Sequence, residues 1–160
     1  AAGADVVLLD GHHDALATAA ARAGGAAGVP VVVDAGSHKP VLDELWPLAS
    51  DVICSADYAD PSGLPPRALL GWGPVLVAVS HGAGPLRWWT AGESGDLQVP
   101  KTEAVDTLGA GDVLHGGYAF ALAAGRPRLE ALAFGAAAAS LRVASLGPFA
   151  WRAGLAGLRP

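Results

Sequence analysis

The segment DTLGAGDVLHGG, residues 106–117, places glycines, a hydroxyl and two carboxylates directly before a helical pattern. The first N–H groups of a helix have no intrahelical partners, and they lie at the positive end of the helix dipole. Glycines without a Cβ let an anion approach such groups closely. The backbone of Gly109, Ala110 and Gly111 is therefore predicted to bind a phosphate.

Asp112 directly follows the residues of this predicted anion site. A carboxylate beside a bound phosphate is unfavourable unless it serves the reaction, for example by accepting the proton of an attacking hydroxyl. Phosphoryl transfer needs an oriented nucleophile together with fixed dipoles on the transferring group. Asp112 behind Gly-Ala-Gly therefore indicates phosphoryl transfer, with Asp112 as the catalytic base.

Two other interpretations of the same segment remain open. One is a glycine-rich loop whose Asp only caps a helix, because Gly-Ala-Gly before a helix is moderately specific. The other is a dinucleotide-binding fingerprint, which fits less well. That motif requires a third glycine where this chain has Leu114, and it continues into a strand rather than into a second helix.

The composition excludes several classes of protein. Of the 160 residues, 52% are hydrophobic and 16% are charged, which is typical of a globular domain. Ten Lys and Arg residues against 15 Asp and Glu give a net charge of −5, and no basic stretch indicates nucleic-acid binding. Apolar runs are too short to span a bilayer, and no secretory signal opens the chain. We expect a cytoplasmic protein that binds neither nucleic acid nor membrane.

Apolar strand patterns alternate with helical patterns in the first part of the chain. Strands are predicted at 6–9, 29–36, 51–55 and 75–80, and helices at 14–28 and 40–49. Asp14 is the predicted N-cap of the first helix, and Gly24-Gly25 its predicted end. Apolar strands joined by helices predict an α/β fold with a mostly parallel sheet.

The later part of the chain is predicted to add a hairpin and two helices. Residues 60–74 form a loop around a short helical turn, and 86–90 with 96–100 form a hairpin at the sheet edge. Helices follow at 111–124 and about 129–144. The second helix is so rich in alanine that its backbone is expected to pack closely against a neighbour. We expect one α/β unit over residues 1–160.

The stretch VDTLGAGDVLHGGYAFALAAG, residues 105–125, resembles the C-terminal signature of the ribokinase-like (PfkB) family of carbohydrate kinases. VVVDAG at 31–36 resembles the family's central strand, and VAVSHGAG at 77–84 its nucleotide-side strand and loop. The helix and loop at 130–147 are similar to those behind the adenine pocket. The resemblance implies a ribokinase-like three-layer fold and transfer of the ATP γ-phosphate to a sugar hydroxyl.

The resemblance also implies roles for individual residues. They are Asp112 as catalytic base, Gly109, Ala110 and Gly111 as anion hole, Asp106 as substrate-binding residue, and Thr107, Ser80 and Gly82 as nucleotide-binding residues. ATP and Mg²⁺ are the implied cofactors. A monovalent cation such as K⁺ is often bound near the positions of Asp106 and Thr107 in this family.

The sequence departs from the family pattern at several places. Where the family usually has Asn-x-x-Glu for Mg²⁺ and phosphate, this chain has SADY at 55–58, so the residues that hold Mg²⁺ are left unassigned. Pro85 stands where a loop glycine is expected, and Ala136 where an Asn is common. These changes affect nucleotide and metal contacts and leave the Gly-Ala-Gly-Asp segment complete.

Family members carry a preceding segment of comparable size, with most sugar-contacting residues and a small β lid. This chain lacks that segment and has no methionine, so we expect the C-terminal half of a sugar kinase. Such a half is expected to be poorly active or inactive alone, to expose an apolar sheet edge, and to associate or bind weakly. A homodimer is also expected. A nucleoside or vitamin-precursor kinase, or a catalytically inactive structural or regulatory chain, remain alternatives.

Three further residue groups have simple interpretations. GHHD at 11–14 lacks a spaced third ligand, so a polar turn is favoured over a metal site. His115 lies on the same helix face as Asp112, and packing is favoured over a contact with substrate. Cys54 at the end of a strand is interpreted as a small buried apolar residue.

Overall fold

The computed structural model describes residues 3–158. Its internal contacts divide the chain into two compact units, the first ending at Leu97 and the second beginning at Gln98. The first unit contains a six-stranded sheet and the second contains two long helices. None of the described helices has the length and hydrophobicity that a bilayer-spanning helix needs.

The sheet of the first unit combines parallel and antiparallel strands. The strands are β1 (Val7–Leu9), β2 (Val31–Ala35), β3 (Asp51–Ser55), β4 (Leu76–His81), β5 (Gly84–Trp89) and β6 (Ser94–Leu97). They lie in sequence order across the sheet. Strands β1 to β4 pair in parallel, and β5 and β6 add two antiparallel pairs. The predicted α/β class, parallel strands and edge hairpin are confirmed.

Strands β4 and β5 form a tight hairpin that the sequence analysis did not include. His81 pairs with Gly84, which leaves Gly82 and Ala83 as the two turn residues. Gly82 has φ +59°, the left-handed conformation that short hairpin turns require and that glycine adopts without strain. The loop expected after β4 is therefore two residues long, and β5 begins at Gly84.

Two helices cover one face of this sheet. They are α1 (Asp14–Ala27) and the single turn α2 (Leu42–Leu45). The core beneath them includes Ala17, Ala21, Val31, Val33, Leu42, Leu45, Val52, Cys54, Val77 and Val79. The helix predicted at 40–49 is thus only partly present. Its second half, Trp46–Leu48, is a 3₁₀ turn, since Pro47 has no N–H for an α-helical bond.

Helix α1 lies within one residue of its predicted bounds, 14–28, but the residues predicted to cap and to end it are wrong. The N-cap is His13, whose side chain makes no capping bond, and Asp14 is the first helical residue. The helix also continues past Gly24 to Ala27 and ends at Gly28, which has φ +70°. Gly24 is a buried residue inside the helix. A Cβ at this position would lie only 3.0 Å from the side chain of Val31, so the site has no room for a larger residue. Its glycine serves close packing and does not end the helix.

The second unit is built on α3 (Ala110–Ala123) and α4 (Arg128–Val143), followed by a 3₁₀ segment at Ala150–Gly157. The two α-helices begin and end within one residue of their predicted bounds. A Cβ at Gly135 would lie 2.5 Å from the Leu114 carbonyl oxygen, and one at Gly117 would lie 2.9 Å from the Gly135 Cα. The predicted close backbone packing of α4 is therefore confirmed.

We predict that Gly135→Ala destabilises the protein, because the new methyl group meets backbone atoms that cannot move aside. Overpacking of this kind costs about 1–3 kcal/mol. Urea unfolding of the variant measures the loss. Gly116→Ala is the control, since a Cβ there meets nothing within 4 Å and alanine favours a helix by about 1 kcal/mol over glycine. Equal stability of the two variants would contradict the close packing.

Candidate active site

The segment Asp106–Asp112, here called the anion loop, leads into the N-terminus of α3. Gly109 is the N-cap of this helix and has φ +74°. That conformation favours glycine, because a side chain is strained there. No side chain caps the helix, so its first N–H groups are not satisfied by a capping oxygen. The loop thus has the open helix end that the sequence predicted.

One of the amides predicted for the anion hole is already bonded within the protein. The Ala110 N–H donates to the Thr107 carbonyl at 3.2 Å, so this group is not open to an anion. The N–H groups of Gly109, Gly111 and Asp112 have no acceptor within the described part of the chain. The available donors are therefore these three.

The Asp112 carboxylate lies over the helix N-cap. Asp112 is in the first turn of α3 and is exposed. Its Oδ2 is 3.6 Å from the point where a Cβ on Gly109 would be. The carboxylate and the open N–H groups therefore occupy one small region of the surface. This is the arrangement that a base needs when it must reach a hydroxyl attacking an anion held by those groups.

His115 fixes the peptide group in front of Asp112. Its side chain is buried, at 5% exposure, and Nδ1 lies 2.7 Å from the Gly111 carbonyl oxygen. Since a carbonyl oxygen only accepts, Nδ1 carries the proton in this contact. The same peptide group carries the Asp112 N–H, so His115 holds the orientation of one open donor. The interpretation of His115 as a packed residue is confirmed.

Both carboxylate oxygens of Asp106 accept hydrogen bonds. Its Oδ2 accepts from Arg142 Nη2 at 2.8 Å, and its Oδ1 accepts from the Leu108 N–H at 3.0 Å. The bond from Arg142 and then the Leu108 N–H lower the pKa of Asp106 below its usual value, so it is ionised at neutral pH. The predicted contact of Asp106 with substrate stays a prediction.

Arg142 is a residue of this site that sequence reasoning missed. It lies in the last turn of α4, 36 residues from Asp106, and its side chain is only 4% exposed. The available signal was an arginine near the end of an alanine-rich helix. An arginine buried in apolar surroundings needs an anionic partner, and Asp106 is the carboxylate that the structure brings to it.

Ser80 and Gly82, the other predicted nucleotide contacts, belong to the first unit. Ser80 lies near the carboxyl end of β4 opposite Ser55 of β3, and Gly82 forms the adjoining turn. The Ser55 hydroxyl donates to the Gly36 carbonyl at 2.7 Å. Polar groups thus line the carboxyl ends of β2, β3 and β4, the edge where open α/β sheets bind ligands.

No metal centre is formed by residues 3–158, which contain no cluster of three or more His, Cys, Asp or Glu side chains suited to an ion. At SADY, Asp57 is exposed, and its N–H donates to the Ser55 hydroxyl. Tyr58 packs edge-on against Trp46 with ring centroids 6.2 Å apart. At GHHD, His12 pairs with Asp10 on the surface. These contacts belong to turns and packing.

Cys54 is fully buried in the core of the first unit. Burial, and to a smaller extent the charge of Asp34, raises the pKa of its thiol to about 12. A thiol with such a pKa carries almost no thiolate at neutral pH and is a poor nucleophile. The interpretation of Cys54 as a small apolar core residue is confirmed.

Comparison with known families now identifies the class of protein. The fold is that of the ribokinases. The pfkB family of carbohydrate kinases matches residues 2–150. The chain belongs to this family.

Known relatives support the same assignment. A ribokinase of Arabidopsis thaliana is 34% identical to this chain over an alignment 159 residues long. The alignment covers 88% of this chain and 41% of that protein. The chain therefore spans about half the length of the relatives it matches.

Solved structures give the fold directly. Ribokinase from Thermotoga maritima has a TM-score of 0.80 at 24% identity, with 90% of this chain and 52% of that one covered. Arabidopsis thaliana ribokinase, solved with ribose and ATP, has a TM-score of 0.70 at 27% identity, with 90% and 51% covered. A protein from E. coli, solved with ATP and Mg²⁺, has a TM-score of 0.73 at 20% identity, with 90% and 54% covered.

We predict that Cys54 does not react with a thiol reagent such as 5,5′-dithiobis(2-nitrobenzoate) in the native protein at pH 8. Its raised thiol pKa and its burial both suppress the thiolate. One thiol per chain should appear after unfolding in guanidinium chloride, which is the internal control. Rapid native labelling would show that this part of the core opens.

Proposed function

We propose that this chain carries the phosphoryl-transfer centre of a kinase that moves the γ-phosphate of ATP to a sugar hydroxyl. Membership in the pfkB family supports the reaction class. The observation that carries the proposal is the uncapped N-terminus of α3, with Gly109 in a left-handed conformation and the Asp112 carboxylate beside it. An open set of donors next to a base meets the two requirements of phosphoryl transfer.

In this proposal Asp112 takes the proton of the acceptor hydroxyl as the new P–O bond forms. The N–H groups of Gly109, Gly111 and Asp112 donate to the oxygens of the transferring phosphoryl group, where negative charge is concentrated. Because these donors are backbone groups held by the helix, they need no reorganisation during the reaction. The Ala110 N–H is not among these donors, because it is bonded to the Thr107 carbonyl.

The nucleotide and acceptor contacts extend this proposal. Ser80, Gly82 and Thr107 are assigned to ATP, as their positions in the family pattern suggest. Asp106 is assigned to the substrate, as its position in the family pattern also suggests. ATP and ribose are the ligands to test first, because the Arabidopsis thaliana ribokinase binds both.

In this proposal Mg²⁺ binds together with ATP. When bound, it neutralises charge on the phosphates, and protein sites usually hold it through one or two carboxylates together with those phosphates. The described residues offer no ready cluster of carboxylates, so the phosphates supply most of its ligands in this proposal. A cytoplasmic homodimer remains a prediction.

We predict that Asp112→Asn removes most of kcat while leaving ATP binding nearly unchanged, because the amide keeps the shape and cannot accept the proton. General-base catalysis contributes at least about 10²-fold. Kinase activity and ATP titration should be measured on the protein expressed from its complete coding sequence. Glu130→Gln is the matched control, since Glu130 is also an exposed acid in the first turn of a helix. Near-normal turnover by Asp112→Asn would exclude Asp112 as the base.

We predict that Gly111→Ala lowers the turnover and leaves the stability of the fold unchanged. A Cβ at Gly111 meets nothing within 4 Å, and the residue lies inside α3 with negative φ, so the fold should tolerate or prefer alanine. The same methyl group would narrow the approach of an anion to the open N–H groups. Turnover should therefore fall while the melting temperature is kept.

Gly116→Ala in the same helix is the control for Gly111→Ala, and both properties should be unaffected or improved there. Full activity of Gly111→Ala would argue against close approach of a phosphate to this part of the loop.

A further inference from the structure

A buried guanidinium lies beneath the anion loop. The Arg142 side chain is 4% exposed, and a charge so far from water is costly unless oxygen acceptors surround it. Three bonds supply them. Nη2 donates to Asp106 Oδ2 at 2.8 Å, and Nη1 donates to the carbonyl oxygens of Asp106 at 3.2 Å and Ser145 at 3.0 Å.

These three acceptors form the kind of oxygen set that also suits a metal cation. One carboxylate oxygen and two carbonyl oxygens lie around one guanidinium group, which places the fixed charge of Arg142 among them. A monovalent cation near Asp106, which the family resemblance implies, therefore does not fit here. Its charge and its oxygen ligands are both already taken by the protein.

The bonds of Arg142 continue into the anion loop. Asp106, held by Arg142 through one carboxylate oxygen, accepts the Leu108 N–H through the other. The next link is the bond from the Ala110 N–H to the Thr107 carbonyl, which brings the chain to Gly109 at the start of α3. A path of hydrogen bonds thus connects the guanidinium with the turn that opens the helix N-terminus.

Arg142 also neutralises the negative charge of Asp106 in the anion loop. Asp106 is ionised at neutral pH, and an uncompensated carboxylate would repel an incoming phosphate. The guanidinium cancels that charge at 2.8 Å, and being always protonated it does so at every physiological pH. The carboxylate of Asp112, which the reaction uses, has no such partner among the described ion pairs.

We propose that Arg142 is an internal cation that holds the anion loop in its phosphate-binding conformation, so that the protein needs no bound monovalent cation for this purpose. The proposal rests on the proposed function, because it takes the anion loop as the phosphate site. Arg142 acts through Asp106 and the loop, and it is therefore a positioning residue.

The first test uses the wild-type protein expressed from its complete coding sequence. Melting temperature, ATP affinity and turnover are measured in KCl, NaCl and choline chloride at one ionic strength. We expect all three quantities to be the same in the three salts, because Arg142 already occupies the oxygen atoms beside the anion loop. Specific activation, tighter ATP binding or a raised melting temperature in KCl would overturn the proposal. This result does not depend on folding of any variant.

The second test removes the guanidinium with Arg142→Ala, which leaves the three acceptors facing a space. A misplaced anion loop should cost about 10²-fold in turnover in choline chloride. KCl or added guanidinium ion should raise both the turnover and the melting temperature of this variant, a cation dependence that a merely structural arginine would not produce. Arg126→Ala, which removes an exposed arginine of the same unit, should show no such dependence.

The outcomes separate the two proposals. If the wild type binds and turns over no ATP, the kinase proposal fails, and the melting temperatures of wild type and Arg142→Ala in the three salts still test the internal cation. If Arg142→Ala is as active as the wild type in choline chloride, the internal cation is excluded and the kinase proposal stands.

Discussion

The backbone contact of α3 with α4, at Gly117 and Gly135, is the constraint on which the second unit depends. A Cβ at either position would lie within 3 Å of backbone atoms of the other helix. A four-residue connection joins the helices, so they run antiparallel, and the start of α3 is brought to the end of α4. There the N–H groups of Val105 and Asp106 both reach the Val143 carbonyl. The position of the anion loop follows from this packing.

Two opposite ends of helices therefore meet around the anion loop. The N-terminus of α3 offers open N–H groups to an anion, and the C-terminus of α4 carries Arg142 in its last turn, where a cation complements the helix dipole. Arg142 pairs with Asp106 at 2.8 Å. The unit thus combines one carboxylate, Asp106, that is held by a partner with another, Asp112, that is exposed to solvent.

The elements that depend on local sequence could be predicted. Helices α3 and α4 and the parallel strands follow from apolar periodicity, and the glycines before Asp112 indicate the anion loop. Features that depend on contacts between distant residues could not be predicted from the sequence. Gly24 has the sequence signature of a helix end, and only its packing against Val31 shows that it lies inside the helix. The role of Arg142 depends on Asp106, which is 36 residues away in the sequence. The bond that removes the Ala110 N–H from the anion hole is a detail of loop geometry.

The most direct measurement of the central claim is a set of ¹H–¹⁵N amide spectra of the complete protein with ADP and with a non-hydrolysable ATP analogue. We expect the amide signals of Gly109, Gly111 and Asp112 to move when the γ-phosphate is present and not with ADP. The Ala110 signal should move less, because its N–H is bonded to Thr107. If the analogue shifts other amides and leaves the anion loop unchanged, the phosphate does not bind at this helix N-terminus.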